Sequence, residues 1–231
     1  MPIKLITFDL DNTLWHTDPV IIKAEKIQWK CIVKRCPNAQ KVFTPISLQK
    51  FKLQVAKENP ELRHKLSLLR LEFLFQLFIQ CGLNTQQARI FSQQVFDEFL
   101  QARNQIELFP GALTLLETLQ QDYQVIALSN GNSDLTKIGL DHLFKAHYHA
   151  ENVERPKPHA DMFLAALEHA QVTANESLHI GDHPEQDIEA ARQLGFKTLW
   201  ANVLTQPWPN NFEQADHEIT HLDQIIPILK R

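Results

Sequence analysis

ITFDLDNTLW, from Ile6 to Trp15, is the stretch on which the reading of the chain turns. With Ile3 and Leu5 ahead of it, the run through Ile6 and Phe8 is short, branched and aromatic, the composition of a buried strand. The run stops at Asp9, and Asp11 and Thr13 follow at alternate positions. Two carboxylates thus emerge together where a buried strand ends, the place where open α/β sheets put their active sites. Anions this close in a partly dry site repel, and each raises the pKa of the other. A bound divalent cation such as magnesium removes the conflict and keeps both ionised. Otherwise one carboxyl carries a proton. By itself Asp-x-Asp-Asn-Thr is also ordinary turn and helix-cap chemistry. A calcium loop begins in the same way but needs Gly at its sixth position and Glu at its twelfth. Leu14 and Val20 stand there, which excludes it.

The 231 residues are 44% hydrophobic with a net charge of −4, enough for one large or two small domains. No basic block stands out, which argues against nucleic acid or an anionic membrane as partner. No apolar run approaches the roughly 18 residues of a membrane span. The chain enters its first strand within a few residues and shows no secretory signal pattern. Cys31, Cys36 and Cys81 are odd in number and lack Cys-x-x-Cys spacing, so they read as reduced, buried thiols of a cytoplasmic protein.

After Trp15 the periodicity becomes helical, from about residue 18 to 104. Pro19 opens a first helix carrying Ile22, Ile27 and Trp29, closed by Pro37 and Asn38. Ser47 is placed to cap a second, with Leu48, Phe51 and Val55. Asn59-Pro60 gives an N-cap and N1 signal for a third. Its stripe is Leu71, Leu74, Phe75 and Phe78, and with Leu66, Leu69, Phe73 and Leu77 it is predicted to be the most buried helix of the segment. A fourth runs from Thr85 to Arg103 with Ile90, Phe91, Val95, Phe96 and Phe99 inside.

Strands and helices then alternate. Strands are expected at Val125–Leu128, His147–Ala150, Leu178–Ile180 and Lys197–Ala201, and helices after Pro110-Gly111, at Ala160–Ala170, Glu185–Leu194 and His221–Leu229. Such alternation implies parallel pairing and an α/β, doubly wound parallel sheet. The predicted organisation is an α/β core of residues 1–17 and 105–231, with an α-helical cap of residues 18–104 inserted after the first strand. Both ends of the insert are expected near the active-site edge, so that it acts as a lid.

Polar groups gather at four strand ends or adjoining loops: Asp9, Asp11 and Thr13; Ser129 and Asn130; Lys157 in Arg155-Pro156-Lys157-Pro158; Asp182 and Asp187. Taken singly, each is a turn, a surface lysine or a helix N-terminal acid. Together they make a site for phosphate with magnesium, since phosphoryl transfer is positioning and neutralisation of charge.

Here the chain resembles the haloacid dehalogenase-like superfamily of aspartate-nucleophile hydrolases. DLDNT, SN, KP and GDHPEQD match its four motifs in order, and the likeness spans the whole chain. DLDNTLWHTDPVI, LSNGN, KPHADMF and HIGD look like the bacterial flavin mononucleotide and pyrimidine-phosphate phosphatases of the YigB type. The resemblance implies Asp9 as nucleophile and Asp11 as general acid and then base, with its carbonyl on the metal. It implies Ser129 and the Asn130 amide, with Thr13, on phosphate, and Lys157 as the neutralising cation. Asp182 would bind Mg²⁺ directly and Asp187 directly or through water. A small phosphorylated metabolite is the implied partner, flavin mononucleotide or 5-amino-6-(5-phosphoribitylamino)uracil among them, for a monomer or homodimer. Glu154 stands where relatives usually have Gly. A phosphomutase shares the motifs, and a silent binding protein on this fold would have lost Asp9, Asp11 or Lys157. A dehalogenase of the superfamily lacks an acid at the position of Asp11. His16, His159 and His183 read as loop or cap residues and His179 as a satisfied core histidine. Trp15 and Trp29 read as packing residues, with an aromatic ring of a substrate as their alternative partner.

Overall fold

The opening stretch forms β1 (Leu5–Phe8), all of it buried, in the computed structural model of the protein, which describes residues 2–230. Five helices follow: α1 (Thr17–Arg35), α2 (Ala39–Val42), α3 (Pro45–Glu58), α4 (Leu66–Gln80) and α5 (Thr85–Arg103). Next come α6 (Ala112–Asp122), β2 (Gln124–Ser129), α7 (Leu135–Ile138), β3 (Ala146–His149), α8 (Asp161–Ala170) and β4 (Ser177–Gly181). A π-helical turn (Pro184–Glu189) then runs into α9 (Ala190–Gln193), followed by β5 (Lys197–Ala201), β6 (His217–Ile219) and α10 (Ile225–Leu229). The chain divides into two compact units, residues 1–17 with 106–231, and residues 18–105.

In the first unit all strand pairs are parallel, and the order is β3-β2-β1-β4-β5-β6. The winding runs from β1 outward to β3, then crosses back to β4 on the other side of β1. The crevice at the carboxyl ends of β1 and β4 is therefore the switch point where such sheets bind ligands. Successive strand residues enter different cores. Ile6, Phe8, Val125, Ala127 and Ile180 pack with Leu115, Leu116 and Leu119 of α6. Leu5, Ile126 and Leu128 pack with Met162, Phe163 and Ala166 of α8. Burial on both faces is why these strands read as unbroken apolar runs, and the sheet is doubly wound.

The helical unit has its own core, centred on Phe51 and Val55 of α3, Phe73, Leu74, Leu77 and Phe78 of α4, and Val95, Phe96 and Phe99 of α5. Three local expectations are corrected there. Thr44, not Ser47, caps α3: its hydroxyl accepts from Ser47 N, while Ser47 Oγ accepts from Thr44 N, a reciprocal capping box. Asn59 closes α3 instead of opening α4, because its Nδ2 donates to Val55 O at 2.8 Å; Pro60–Leu62 is a single 3₁₀ turn and α4 starts at Leu66. The most deeply buried helix is α5, which hides Ala88, Ser92, Val95, Phe96, Phe99, Ala102 and Arg103. α4 leaves Leu66, Leu68 and Ile79 exposed, and α5 leaves Ile90 exposed. No helix among the described residues is long and apolar enough to cross a membrane.

Candidate active site

The hydrogen-bonded ladder between β1 and β4 runs one step past β1. Asp9 N donates to Ile180 O at 2.8 Å, which fixes Asp9 at the carboxyl edge of the sheet. Lys157, itself buried, lies against it: Nζ is 2.8 Å from Asp9 Oδ1 and 2.5 Å from Asp187 Oδ1. Thr13 Oγ1 reaches Asp9 Oδ2 over a longer 3.3 Å. Beyond Asp11 the chain turns at Asn12, whose φ of 63° is left-handed and tolerated by Asn. The turn brings Trp15 and Thr17 back to Asp11: the indole Nε1 donates to Oδ1 at 2.8 Å and the Thr17 hydroxyl to the same oxygen at 2.7 Å. The other oxygen lies against Gly131, where any Cβ would collide with Asp11 Oδ2. Glycine is needed there for close approach.

At the end of β2, Ser129 Oγ accepts from Gly131 N at 2.9 Å. Both side-chain protons of Asn130 are spent, one on Lys157 O at 2.7 Å and one on Gln186 Oε1 at 2.9 Å. Asn130 therefore staples the loop after β2 to the Lys157 loop and to the π-helical turn. The sequence pattern predicts ordinary α-helix over Glu185–Leu194, and the structure instead has a π-turn at Pro184–Glu189. Its wide ring, in which Ile188 N reaches back to His183 O, carries Asp187. Asp187 Oδ2 accepts from His183 N at 2.9 Å, and Oδ1 lies 3.2 Å from His179 Nε2. A Cβ on Gly181 would run into the Asp187 side chain. Asp182 stands one residue past β4, and its carbonyl accepts from Trp200 Nε1 at 2.7 Å.

Carboxylate oxygens of Asp9, Asp182 and Asp187 lie within 4.8 Å of one another. Burial pushes Asp9 up to about 7 against the opposing charge of Lys157, with Asp187 and Asp11 adding to the rise. Burial and the charges of Asp9 and Asp187 push Asp182 up to about 8. Burial also acts to raise Asp187, but the Lys157 ammonium and the His179 hydrogen bond hold it well below the usual carboxylate range. Lys157, which burial would lower, is held above the usual lysine value by Asp187 and Asp9. Three acids thus face one ammonium, and hard oxygen donors in surplus negative charge fit a magnesium-sized dication.

A pH dependence follows from these shifts. Both folded values exceed the unfolded 3.8, so between about pH 4 and about pH 8 the metal-free folded chain holds more protons than the unfolded one. Its stability from these two carboxyls therefore falls as pH rises through that window. Added magnesium should raise Tm more at about pH 8 than at about pH 6, and its binding near pH 7 should release protons. Calorimetry in buffers of different ionisation heat measures that release. A Tm gain independent of pH, with no proton release, would put the cation elsewhere.

The eight residues singled out from the sequence all belong to the first unit; Asp9, Lys157 and Asp187 form its buried charged centre, with the half-buried Asp182 beside them. Trp15 is fully buried in the sheet core, so it orients Asp11 and is closed to stacking, and Trp29 packs on the helical core. His16, His159 and His183 are exposed, as is Glu154. His183 caps the π-turn, accepting from Glu185 N and Gln186 N at 3.2 Å each. Sequence reasoning missed the link from His179 to Asp187 and the parts of Trp15, Thr17, Gly131 and Gln186. The available signals were the indole four residues after Asp11 and the polar residue inside an apolar strand.

The sequence pattern that defines the haloacid dehalogenase-like hydrolases matches residues 3–195, and the chain belongs to that family of enzymes. 5-Amino-6-(5-phospho-D-ribitylamino)uracil phosphatase YigB of Escherichia coli is 28% identical over 210 residues, 89% of this chain and 88% of its own. The crystal structure of a 2-haloacid dehalogenase from Pseudomonas syringae pv. Tomato is 33% identical and covers 99% of both chains with a TM-score of 0.92. Magnesium-bound YfnB of Bacillus subtilis, 19% identical over 100% of both chains, shares the fold with a TM-score of 0.67.

Proposed function

We propose that the chain is a magnesium-dependent phosphatase that hydrolyses small phosphate monoesters through an aspartyl-phosphate on Asp9. The observation that carries this reading is Asp11, an acid two residues past Asp9, with one oxygen tied by Trp15 and Thr17 and the other beside Gly131. Expelling an alkoxide needs a proton donor, whereas expelling a halide does not.

Asp9 attacks phosphorus with Oδ2, the oxygen that takes a long 3.3 Å bond from the Thr13 hydroxyl, while Lys157 holds Oδ1. The ester P–O bond breaks, and Asp11 gives the leaving oxygen its proton. Ser129 Oγ already accepts from Gly131 N, so its own proton is free to donate to a phosphate oxygen. The side-chain protons of Asn130 are committed, so its share of phosphate binding falls to its main-chain amide. Asp11 then takes a proton from the water that attacks phospho-Asp9, and phosphate leaves with Asp9 restored. Asp9, Asp182 and the Asp11 carbonyl would hold magnesium directly; Asp187, whose oxygens are already bonded, would do so through water. When bound, the ion neutralises charge on the phosphate oxygens.

The helical unit, residues 18–105, is proposed to set the choice of substrate. Flavin mononucleotide and 5-amino-6-(5-phosphoribitylamino)uracil head the candidates, the latter because it is the phosphate that the YigB relative is named for. A hydrolysis screen tests this with both compounds, sugar phosphates and nucleotides. Phosphate release should require magnesium, vanish on exhaustive chelation and return when the metal is restored. Full activity without a divalent cation would sink the site as drawn. The name of the Pseudomonas relative favours a second reading, a 2-haloacid dehalogenase. Halide release from 2-chloropropionate, with no phosphate released from any ester, would put that reading in place of the first.

A further inference from the structure

We propose that His179, its tautomer held by Thr7, is a positioning residue for the phosphoryl-transfer site. It fixes the Asp187 carboxylate, and Asp187 in turn fixes Lys157 against Asp9. The inference rests on the phosphatase reading.

His179 sits in the middle of β4, opposite Thr7 of β1 in the parallel register, and neither residue has any exposed surface. The ring is bonded at both nitrogens: Nδ1 is 2.8 Å from Thr7 Oγ1, and Nε2 is 3.2 Å from Asp187 Oδ1. Phe163 of α8 packs edge-on against it, with ring centroids 4.9 Å apart at 78°. The imidazole is thus clamped and turns only if a core aromatic moves. A carboxylate oxygen accepts and does not donate, so the nitrogen facing it carries the proton. Nδ1 is then the bare nitrogen, and it accepts from the Thr7 hydroxyl. Thr7 has another acceptor in Leu178 O, but at 3.4 Å that contact is the poorer one.

The effect reaches the reacting atoms through Asp187. Oδ1 of that carboxylate is shared by Lys157 and His179, and Oδ2 takes the His183 amide. Two of these donors are rigid, the main-chain amide of His183 on Oδ2 and the clamped imidazole on Oδ1, and together they fix the carboxylate plane. Lys157 then meets Asp187 and Asp9 at once, at 2.5 and 2.8 Å. Without the Nε2 proton, Oδ1 is held by the flexible Lys157 side chain alone, so Asp187 turns about its His183 bond and draws the ammonium away from Asp9. Strands buried on both faces are ordinarily filled by apolar residues. The polar ring is accounted for by the carboxylate at one end and the hydroxyl at the other.

The test compares His179→Met, which keeps length and volume but has no donor, with His179→Gln, whose amide places an N–H near the Nε2 position. Thr7→Val and Thr7→Ser make the same comparison at the other end. His179→Met should lower kcat for the best ester in the screen by about 10–100-fold, the range for loss of an outer partner of a site ligand. KM should change far less. His179→Gln and Thr7→Ser should recover most of the loss, and Thr7→Val should fall between. Ring-nitrogen NMR of the full chain should find one imidazole protonated at Nε2 and bare at Nδ1, altered by Thr7→Val. Equal Tm losses in Met and Gln variants with unequal kcat would set positioning apart from packing. An active wild type with His179→Met at wild-type kcat, or with Met and Gln equally impaired, overturns the positioning role alone. A wild type that turns over no ester overturns the phosphatase reading, and the role with it.

Discussion

Asp9→Asn is expected to leave a folded chain with no measurable turnover. The amide is nearly isosteric with the carboxylate, and its oxygen keeps the acceptor that meets Lys157 at 2.8 Å. It has no nucleophilic oxygen anion, so no aspartyl-phosphate forms. The loss should be at least about 10⁴-fold in kcat, the scale on which removal of an attacking group falls. Stability should move the other way. Asp9 is a carboxyl that burial pushes up to about 7, so at neutral pH the metal-free chain should gain from its replacement by a neutral side chain. Lys157→Ala would answer a different question, because it leaves Asp187 buried and without its ammonium, at a cost of about 3–5 kcal/mol. Phosphate release by Asp9→Asn measured with Tm separates the two effects. Retention of a few per cent of wild-type kcat would remove Asp9 as the nucleophile.

The parts legible in the sequence were those in which one physical cause acts alone. β1, β2, β4 and β5 are buried on both faces, so their apolar runs had no competing reading, and the acids and hydroxyls that end them stood out. β6 (His217–Ile219) was not legible: it is an edge strand with His217 and Glu218 exposed, and only Ile219 enters the core. Asn59 misled because one side chain can serve either helix end, and here both its amide and its side chain donate to the carbonyl of Val55. In Pro184–Glu189 the i, i+3, i+4 pattern carries no mark of a wide turn. What selects it is a tertiary demand, the seating of Asp187 between Lys157, His179 and the His183 amide. The charged residues of the site could be named, but their supports could not. Trp15 reaches Asp11 through the local turn at Asn12, Thr7 reaches His179 through the register of β1 on β4, and Asn130 joins three loops that are distant in sequence; none of these side chains carries a charge that would mark it.

Asp11→Asn should cost less than Asp9→Asn, and its cost should depend on the leaving group. Asp11 stands two residues after Asp9, near enough that its charge adds to the rise of the Asp9 pKa, with Oδ1 occupied by Trp15 and Thr17. In the proposed reaction the proton is given from Oδ2, the oxygen beside Gly131. Asparagine keeps the shape, the acceptor for Trp15 and the main-chain carbonyl, but it has no acid proton to give. General acid–base catalysis is worth about 10²–10⁴-fold. A loss of that order is expected for formation of phospho-Asp9 from an alkyl phosphate, whose alkoxide leaves only when protonated. With para-nitrophenyl phosphate the leaving group departs unaided, so the first step should be nearly intact. The second step still needs a base for water, and phospho-Asp9 should accumulate. Rapid-quench measurement of both steps separates these cases. Equal first-step losses with the two leaving groups, and no trapped phospho-enzyme, would take the acid–base role away from Asp11. The main argument against a dehalogenase would go with it, because expulsion of halide makes no demand on a proton and would leave the Asp11–Trp15–Thr17 cluster a structural turn.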